Sequence, residues 1–527
     1  MNKGISMIRL ICKTGFFTLA LLMTACLGDL DPKDLGPNVL NASNVYRTKE
    51  DFKRGLAKLY ASFVLSGQQG PVGQNDIAGI DEGFGVYLRA YWYCQELTTD
   101  EAVISWNDQT IKDFHWHTWT PSDVFISAMY ARIMYTVAIA NEFIRASANN
   151  TDPDIQKFHA EARFIRALAY YHAIDLFGNP PFVTEADRPG SYFPRQISRS
   201  DLFDYIESEL IDIEDDLGNP KFEYGRADKA AAWMLQAKLY LNAEVYKGTP
   251  KYTECITALN KIFTSGAYTL ASNYRHNFVA DNHNSPEIIL AFNHDGQRTQ
   301  TYGGMVFIIH ASIGGSMNSM ATFGVQNPWA GIRTTKQFVN KFSDISGSTD
   351  TRALFHTDGQ SLEINDIGVF TDGYAITKFR NRTLADNLPP NPHPDFVDTD
   401  YPMFRLADAY LMYAEAVLRG GTGGSLSQAL TYVNQIRQRA YGDTSGNITP
   451  AMLNLDFILD ERARELYWEG HRRTDLIRFG KFTGGSYLWA WKGNVKEGTS
   501  TPAFRDLFPI PAADMAANPT LTQNPGY

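Results

Sequence analysis

Three groups of residues in this 527-residue chain have types and spacings that could support chemistry. Asp81-Glu82 and Asp100-Glu101 are adjacent acid pairs, and two carboxylates flanking a bond are what glycoside hydrolysis needs, although their separation in space is not legible in a sequence. His115 and His117 stand at i, i+2, which shares a face only on a strand. No acid or cysteine lies beside them at metal-ligand spacing, so packed or surface histidines compete with a metal site. The third group is aromatic: Tyr91, Trp92, Tyr93, Trp106, Phe114, Trp116 and Trp119 crowd residues 87–119 between polar residues. Flat rings can cover the apolar C–H face of a pyranose while amides, carboxylates and guanidinium groups bond its hydroxyls. Filling a core is the commoner fate of an aromatic. The nucleophile elbow GxSxG, the phosphate loop GxxxxGK[ST], HExxH and paired CxxC motifs are all absent, so hydrolase, nucleotidase and zinc-site readings lack their usual supports.

A dense run of charge marks Ile458–Lys481, ILDERARELYWEGHRRTDLIRFGK. Leu459, Ala463, Leu466 and Gly470 recur at helical spacing and predict one buried stripe. Asp460 lies four residues before Arg464, and Glu469 lies three and four before Arg472 and Arg473, spacings that let each acid meet a base on the same helical face. A catalytic acid/base set and a salt-bridged packing helix both have this pattern; with no nucleophile nearby, the structural reading is preferred.

The elements that must hold these residues are mainly helical. Ser122-Asp123 caps a helix predicted to reach about Ala148, and Thr151-Asp152 with Pro153 in its first turn opens another that Gly178-Asn179-Pro180-Pro181 ends. Helical spacing returns over 46–64, 198–217, 227–246 and 252–265. Leu406–Ala440 reads as helix, GGTGG turn, helix over about 35 residues, near the ~34 of a tetratricopeptide (TPR) repeat. Pairs of that length at 122–177, 200–246 and 405–471 predict stacked pairs that bury a shared face. The expected class is all-α, a TPR-like superhelix with an irregular, loop-rich lobe containing a few short strands. Gly-rich 67–81, the aromatic stretch to about 120, Gly/Ser/Thr/Asn-rich 273–373 and the loop 381–400 with Pro389, Pro390, Pro392 and Pro394 interrupt it. Such excursions from a rigid scaffold are where sites are built.

Residues 1–25 contain Lys3, Arg9 and Lys13 and no acid, then the apolar run Gly15–Met23, shorter than the ~20 residues a spanning helix needs but suited to a signal-peptide core. Met23-Thr24-Ala25-Cys26 resembles a lipobox, with cleavage before Cys26 and acylation of its thiol. The expected organisation is a signal peptide at 1–25, an acylated tether at 26–45 and a single domain at 46–527 with insertions at about 67–120 and 273–400. No second hydrophobic span is evident, so acyl chains would supply the membrane attachment. Losing three bases takes the formal charge from −10 to −13, which disfavours nucleic acid as a partner. Cys94 and Cys255, flanked by apolar residues, are read as buried thiols in preference to a disulfide.

Five blocks, in order, carry a family resemblance: AEARFIRALAYYHAIDLFGNPPF (160–182), YGRADKAAAWMLQAKLYLNAEVY (224–246), FRLADAYLMYAEAVLRGG (404–421), the charged run at 458–481, and FPIPAADMAANPTLTQNPGY (508–527). Together they resemble the SusD/RagB family of surface glycan-binding lipoproteins of Bacteroidetes. DEGFGVYLR (81–89), CQELTTDEAVISWNDQ (94–109), TYGGM (301–305) and QNPWAG (326–331) are similar to its starch-binding members. The resemblance implies a non-catalytic binder of starch and maltooligosaccharides, an α-1,4-glucan, held at the outer-membrane surface by lipid on Cys26. It also implies a SusC-like TonB-dependent transporter as partner. The implied site is an arc of Trp106, Tyr302 and Trp329 with Asp81, Arg89 and Gln109 as polar partners; Gln109 stands where Asn is usual, and the loop between Tyr302 and Trp329 is a few residues longer. No cofactor is implied, and calcium is neither required nor ruled out by these residues. The alternatives are a helical-repeat scaffold for a protein ligand and a family member binding another glycan.

Overall fold

The computed structural model describes residues 45–187, 190 and 192–527; the signal-peptide, tether and Cys26 expectations lie outside the described residues. The described residues divide into two units at Asp51/Phe52. In the first, the Thr48 N–H donates to Asp51 Oδ2 at 2.9 Å and the Asp51 N–H to Thr48 Oγ1 at 3.3 Å, a reciprocal cap.

The second unit is mainly helical with short strands, as its periodicity predicts. Asp123 caps Val124–Ser147, and Asp152 caps Pro153–Leu176 with Pro153 in the first turn, where its missing N–H leaves no hydrogen bond unmade. Tyr252–Ser265, Leu406–Leu418 and Leu426–Tyr441 form close to their predicted bounds. Val124–Ser147 packs on Pro153–Leu176, which packs on Arg199–Asp212. Lys229–Leu241 takes Tyr252–Ser265 as its closest partner, so the predicted 200–246 pair is regrouped. Tyr252–Ser265 then meets Leu406–Leu418, which meets Leu426–Tyr441 and Leu455–Leu466.

Val124–Ser147 is, among the described residues, one helix long and apolar enough to cross a membrane. It is instead a core helix, with Arg132 and Asn141 buried among its apolar neighbours.

The irregular region is knit by two-stranded sheets. Ile288–Phe292 and Tyr401–Arg405 pair antiparallel, Phe292 opposite Tyr401 and Ile288 opposite Arg405, and both are wholly buried. Val103–Ile104 pairs with Ile332–Arg333. Within the 273–373 region, where a few short strands are expected, the apolar run Met305–His310 lies in the helix Gly304–Ala311; a run this short carries no period that separates strand from helix.

The charged run does not form its predicted local pairs. Its helix stops at Leu466 and restarts at Arg472, with Trp468 at φ 64° and Gly470 at φ 78° between. A Cβ on Gly470 would lie 2.5 Å from the Tyr91 ring, so only glycine fits the turn. Most of its charges find distant partners instead. Glu469 accepts from Lys378 Nζ at 2.6 Å and from Arg405 Nε at 2.6 Å; Arg472 pairs with Asp100 at 2.7 Å and Arg473 with Asp175 at 3.0 Å. Asp460 pairs with Lys341, and Arg464 with Glu461. Arg405 also reaches Glu287 at 2.8 Å and Glu465 at 2.6 Å, and Arg352 bridges Asp350 and Glu461, each at 2.7 Å. These groups, apart from partly exposed Asp460 and Arg464, are almost fully buried. The lattice therefore ties helices, the buried strand pair and the aromatic region into one packing arrangement.

Candidate functional site: an aromatic arc on the irregular face

The two-residue sheet is what assembles the arc. Pairing of Ile104 with Ile332 sets Trp106 beside the 326–331 loop, and the Ser105 N–H and Oγ–H donate to the carbonyls of Gly331 (2.9 Å) and Ala330 (2.6 Å). The Trp106 indole N–H donates to the Trp329 carbonyl at 3.0 Å. A Cβ on Gly331 would sit 2.9 Å from the Trp106 ring, so this close approach of backbone to indole requires glycine. Tyr302 enters just ahead of the helix Gly304–Ala311, whose start at Gly304 has φ 54°.

Trp329 is the middle ring. Its centroid lies 6.4 Å from Trp106 with 49° between the planes, and 6.5 Å from Tyr302 with 53° between the planes. The surface therefore turns from ring to ring. Tyr302 is 36% exposed, and Trp106 and Trp329 are half-buried. Behind Tyr302 packs Phe396 at 5.6 Å, and behind Trp329 packs His310 at 5.0 Å.

The polar candidates occupy different positions. Asp81 is exposed; its Oδ1 accepts the N–H groups of Gly83 (2.8 Å) and Phe84 (3.1 Å), shaping the turn beside Tyr302. Arg89 is 9% exposed and spans the site's base. Its Nη1 donates to the carbonyls of Gly83 and Tyr302, and its Nε and Nη2 donate to the Tyr93 hydroxyl. Its guanidinium lies 4.4 Å from the Phe307 ring centroid and 5.8 Å from that of Trp106. Four of its five N–H donors thus bind protein, leaving one on Nη2. Gln109 is exposed at the start of the helix Gln109–Trp116, where it bonds Asp113 at 3.0 Å.

Arginines near this face lack the carboxylate partners found throughout the scaffold. Arg132 donates to the carbonyls of Gly85 and Ser66 and to Asn75; Arg333 donates to those of Asp372, Gly331 and Ile367. Burial lowers the Arg333 proton affinity, to about 9, and nearby Asp372 and Asp366 only partly offset that. Among the described residues these guanidiniums bind loop carbonyls, and so fix the shape of loops with little regular structure of their own.

Neither of the other chemical candidates forms an open site. Asp100 and Glu101 are buried. Burial pushes the Asp100 carboxyl up, but Arg472 and Lys341 outweigh it and hold the group below the usual carboxylate range. Burial and the adjacent Glu96 push Glu101 well above that range. His115 accepts the Ile104 N–H at 2.9 Å, and His117 donates from Nε2 to the Thr98 carbonyl at 2.8 Å. Both are packed histidines that burial keeps neutral, with proton affinities lowered to about 3. Among the described residues no cluster of three His, Cys, Asp or Glu side chains could hold a metal ion. Cys94 and Cys255 are buried free thiols, as expected.

Sequence reasoning missed His310, Asn327, Asp395, Phe396 and Phe307. Two signals lay near them, the QNPWAG block that contains Asn327 and the proline-rich loop that supplies Asp395 and Phe396; a histidine inside an apolar run carries no positional message.

The fold and this face define a helix-pair scaffold that presents an open, turning aromatic platform on irregular loops. The sequence model of the SusD family matches residues 365–527. The chain is 34% identical to the starch-binding protein SusD of Bacteroides thetaiotaomicron, over 96% of both chains. A SusD superfamily protein from Bacteroides vulgatus superimposes with a TM-score of 0.70 at 20% identity, covering 92% of this chain and 100% of that one. Surface glycan-binding protein A from B. thetaiotaomicron, solved in complex with laminarihexaose, superimposes with a TM-score of 0.68 at 18% identity, covering 91% and 100%. This protein belongs to the SusD family.

Proposed function

We propose that this protein is a non-catalytic cell-surface binder of starch and maltooligosaccharides. It passes α-1,4-glucan to a SusC-like TonB-dependent transporter and is held at the outer membrane by lipid on Cys26. The observation that carries the glycan reading is the turn of about 50° between successive rings of Trp106, Trp329 and Tyr302. A glucan that curves can lay consecutive sugars on all three faces, whereas a flat β-1,4 chain meets one or two. Asp81, Gln109 and the remaining Arg89 N–H supply donors and acceptors for hydroxyls at the rim. Identity of 34% over 96% of the chain to a starch-binding protein supports α-1,4 linkage. The anchor and transporter follow from the family resemblance, as does the surface location.

A second reading is a curved β-1,3-glucan, because a protein of the same fold was solved with laminarihexaose. Calorimetry on residues 27–527 with maltoheptaose, laminarihexaose and cellohexaose separates the readings. Maltoheptaose should bind and the other two should not. Binding of laminarihexaose alone would move the assignment to β-1,3-glucan, and equal binding of cellohexaose would remove the argument from ring geometry. Trp106→Ala or Tyr302→Ala should each cost about 1–2 kcal/mol, roughly 5–30-fold in affinity.

A further inference from the structure

His310 is set apart from the other described histidines by what its two ring nitrogens face. Nδ1 lies 3.0 Å from the Asn327 carbonyl oxygen and Nε2 lies 2.9 Å from the Asp395 carbonyl oxygen. Both partners are acceptors only, and a neutral imidazole carries one N–H, so it can satisfy one of them while its other lone pair confronts a carbonyl. An imidazolium satisfies both. By contrast, His294 faces the Phe292 carbonyl through Nδ1 and the Met305 N–H through Nε2, which suits a neutral ring.

The two carbonyls belong to the two loops that frame the arc. Asn327 lies two residues before Trp329, and Asp395 adjoins Phe396, the ring behind Tyr302. The Asn327 side chain also donates to Asp395 Oδ1 at 2.7 Å, so the loops touch at this point. His310 holds Trp329 in two further ways: its carbonyl accepts the Trp329 N–H at 2.9 Å, and its ring packs on the indole at 5.0 Å and 34°.

We infer that His310 is a proton-dependent positioning residue for the aromatic platform: one proton clamps one loop, and a second proton clamps both and fixes Trp329 between its neighbours. This rests on the platform being the ligand site. Burial lowers the His310 proton affinity below the usual imidazole range, and the two carbonyls and the Asp395 carboxylate act against that. The charged and titratable groups around the ring are few. Asp395 and His393 lie on the proline-rich loop, with His393 Nδ1 accepting the N–H groups of Asp395 and Phe396. Arg89 stacks on Phe307 of the helix that carries His310. The 325–331 loop contains no ionisable residue.

The sign follows from linkage. If the ligand selects the doubly clamped arrangement, ligand binding raises the His310 proton affinity, and affinity rises as pH falls through the His310 titration. The extra clamp is one hydrogen bond, so the gain should be about fivefold. The test is calorimetry with maltoheptaose and laminarihexaose between about pH 4.5 and 8 on wild type and His310→Gln, whose amide donates without titrating. Wild type should bind more tightly at the acid end, and His310→Gln should be flat. In parallel, 5-fluorotryptophan labelling follows the Trp329 resonance, assigned with Trp329→Phe, without any glycan. That resonance should move with pH in wild type and stay fixed in His310→Gln. Movement of the resonance when no glycan binds would keep this inference and sink the ligand assignment. Glycan binding with the same pH profile and the same Trp329 shift in His310→Gln would overturn it.

Discussion

Replacing Glu469 with Gln tests whether the buried charge lattice is scaffold and not site. The Glu469 carboxylate is fully buried; Oε2 accepts from Arg405 Nε at 2.6 Å, and Oε1 accepts from Arg405 Nη2 at 2.8 Å and from Lys378 Nζ at 2.6 Å. The amide keeps the volume but removes the negative charge. Arg405 retains Glu287 and Glu465, while Lys378 retains the Tyr467 carbonyl and the faces of Tyr467 and Phe278, 4.0 and 4.3 Å away. Lys378 is the group left worse off. Burial already lowers its proton affinity to about 8, with Glu469 opposing that shift, so loss of Glu469 should push it lower still. Breaking a buried pair in this way costs about 3–5 kcal/mol. For a cooperative unit of this size that is roughly 1 °C of Tm per kcal/mol, a drop of about 3–5 °C. Differential scanning calorimetry and urea unfolding measure the loss, and a dextrin-affinity gel measures binding per folded molecule, which should not change. Unchanged stability would refute the lattice argument, and lost binding at full stability would put Glu469 in the site.

Three further outcomes are expected. Burial raises the Asp400 carboxyl to about 7, with the His294 N–H and Tyr224 hydroxyl donating to it. The native state therefore holds a proton that the unfolded chain releases near pH 4, and stability should fall as pH rises from about 4 toward 7. Asp400→Asn should flatten that slope in urea unfolding at pH 5 and 7.5, and an unchanged slope would assign it elsewhere. Gly331→Ala puts a methyl 2.9 Å from the Trp106 ring, so calorimetry should show a loss like that of Trp106→Ala, about 5–30-fold, and wild-type affinity would mean that Trp106 does not touch the ligand. Cys26→Ala should abolish labelling by fatty acid and partition with outer membranes; retained labelling would refute the lipobox reading.

Local signals were enough for much of the scaffold. Asp152 with Pro153, the bounds of Tyr252–Ser265, the helix pair 406–441 and the proline-rich loop are all legible because caps, period and proline act within a few residues. The family blocks alone bring Trp106, Tyr302 and Trp329 together as candidates. Their mutual placement was decided by tertiary structure. Val103–Ile104 and Ile332–Arg333 are too short to show a period, and their pairing joins segments more than 220 residues apart. The charged run makes the same point in reverse. Its spacing predicted i,i+4 pairs, but the turn at Trp468–Gly470 breaks the helix, and a buried charge pairs with whatever opposite charge the fold brings to it, so Glu469 meets Lys378 and Arg405 and Arg472 meets Asp100. His310 is the extreme case. Its sequence neighbours are apolar, and its chemistry comes from two carbonyls delivered by two distant loops; backbone acceptors have no residue type, so no sequence pattern announces them.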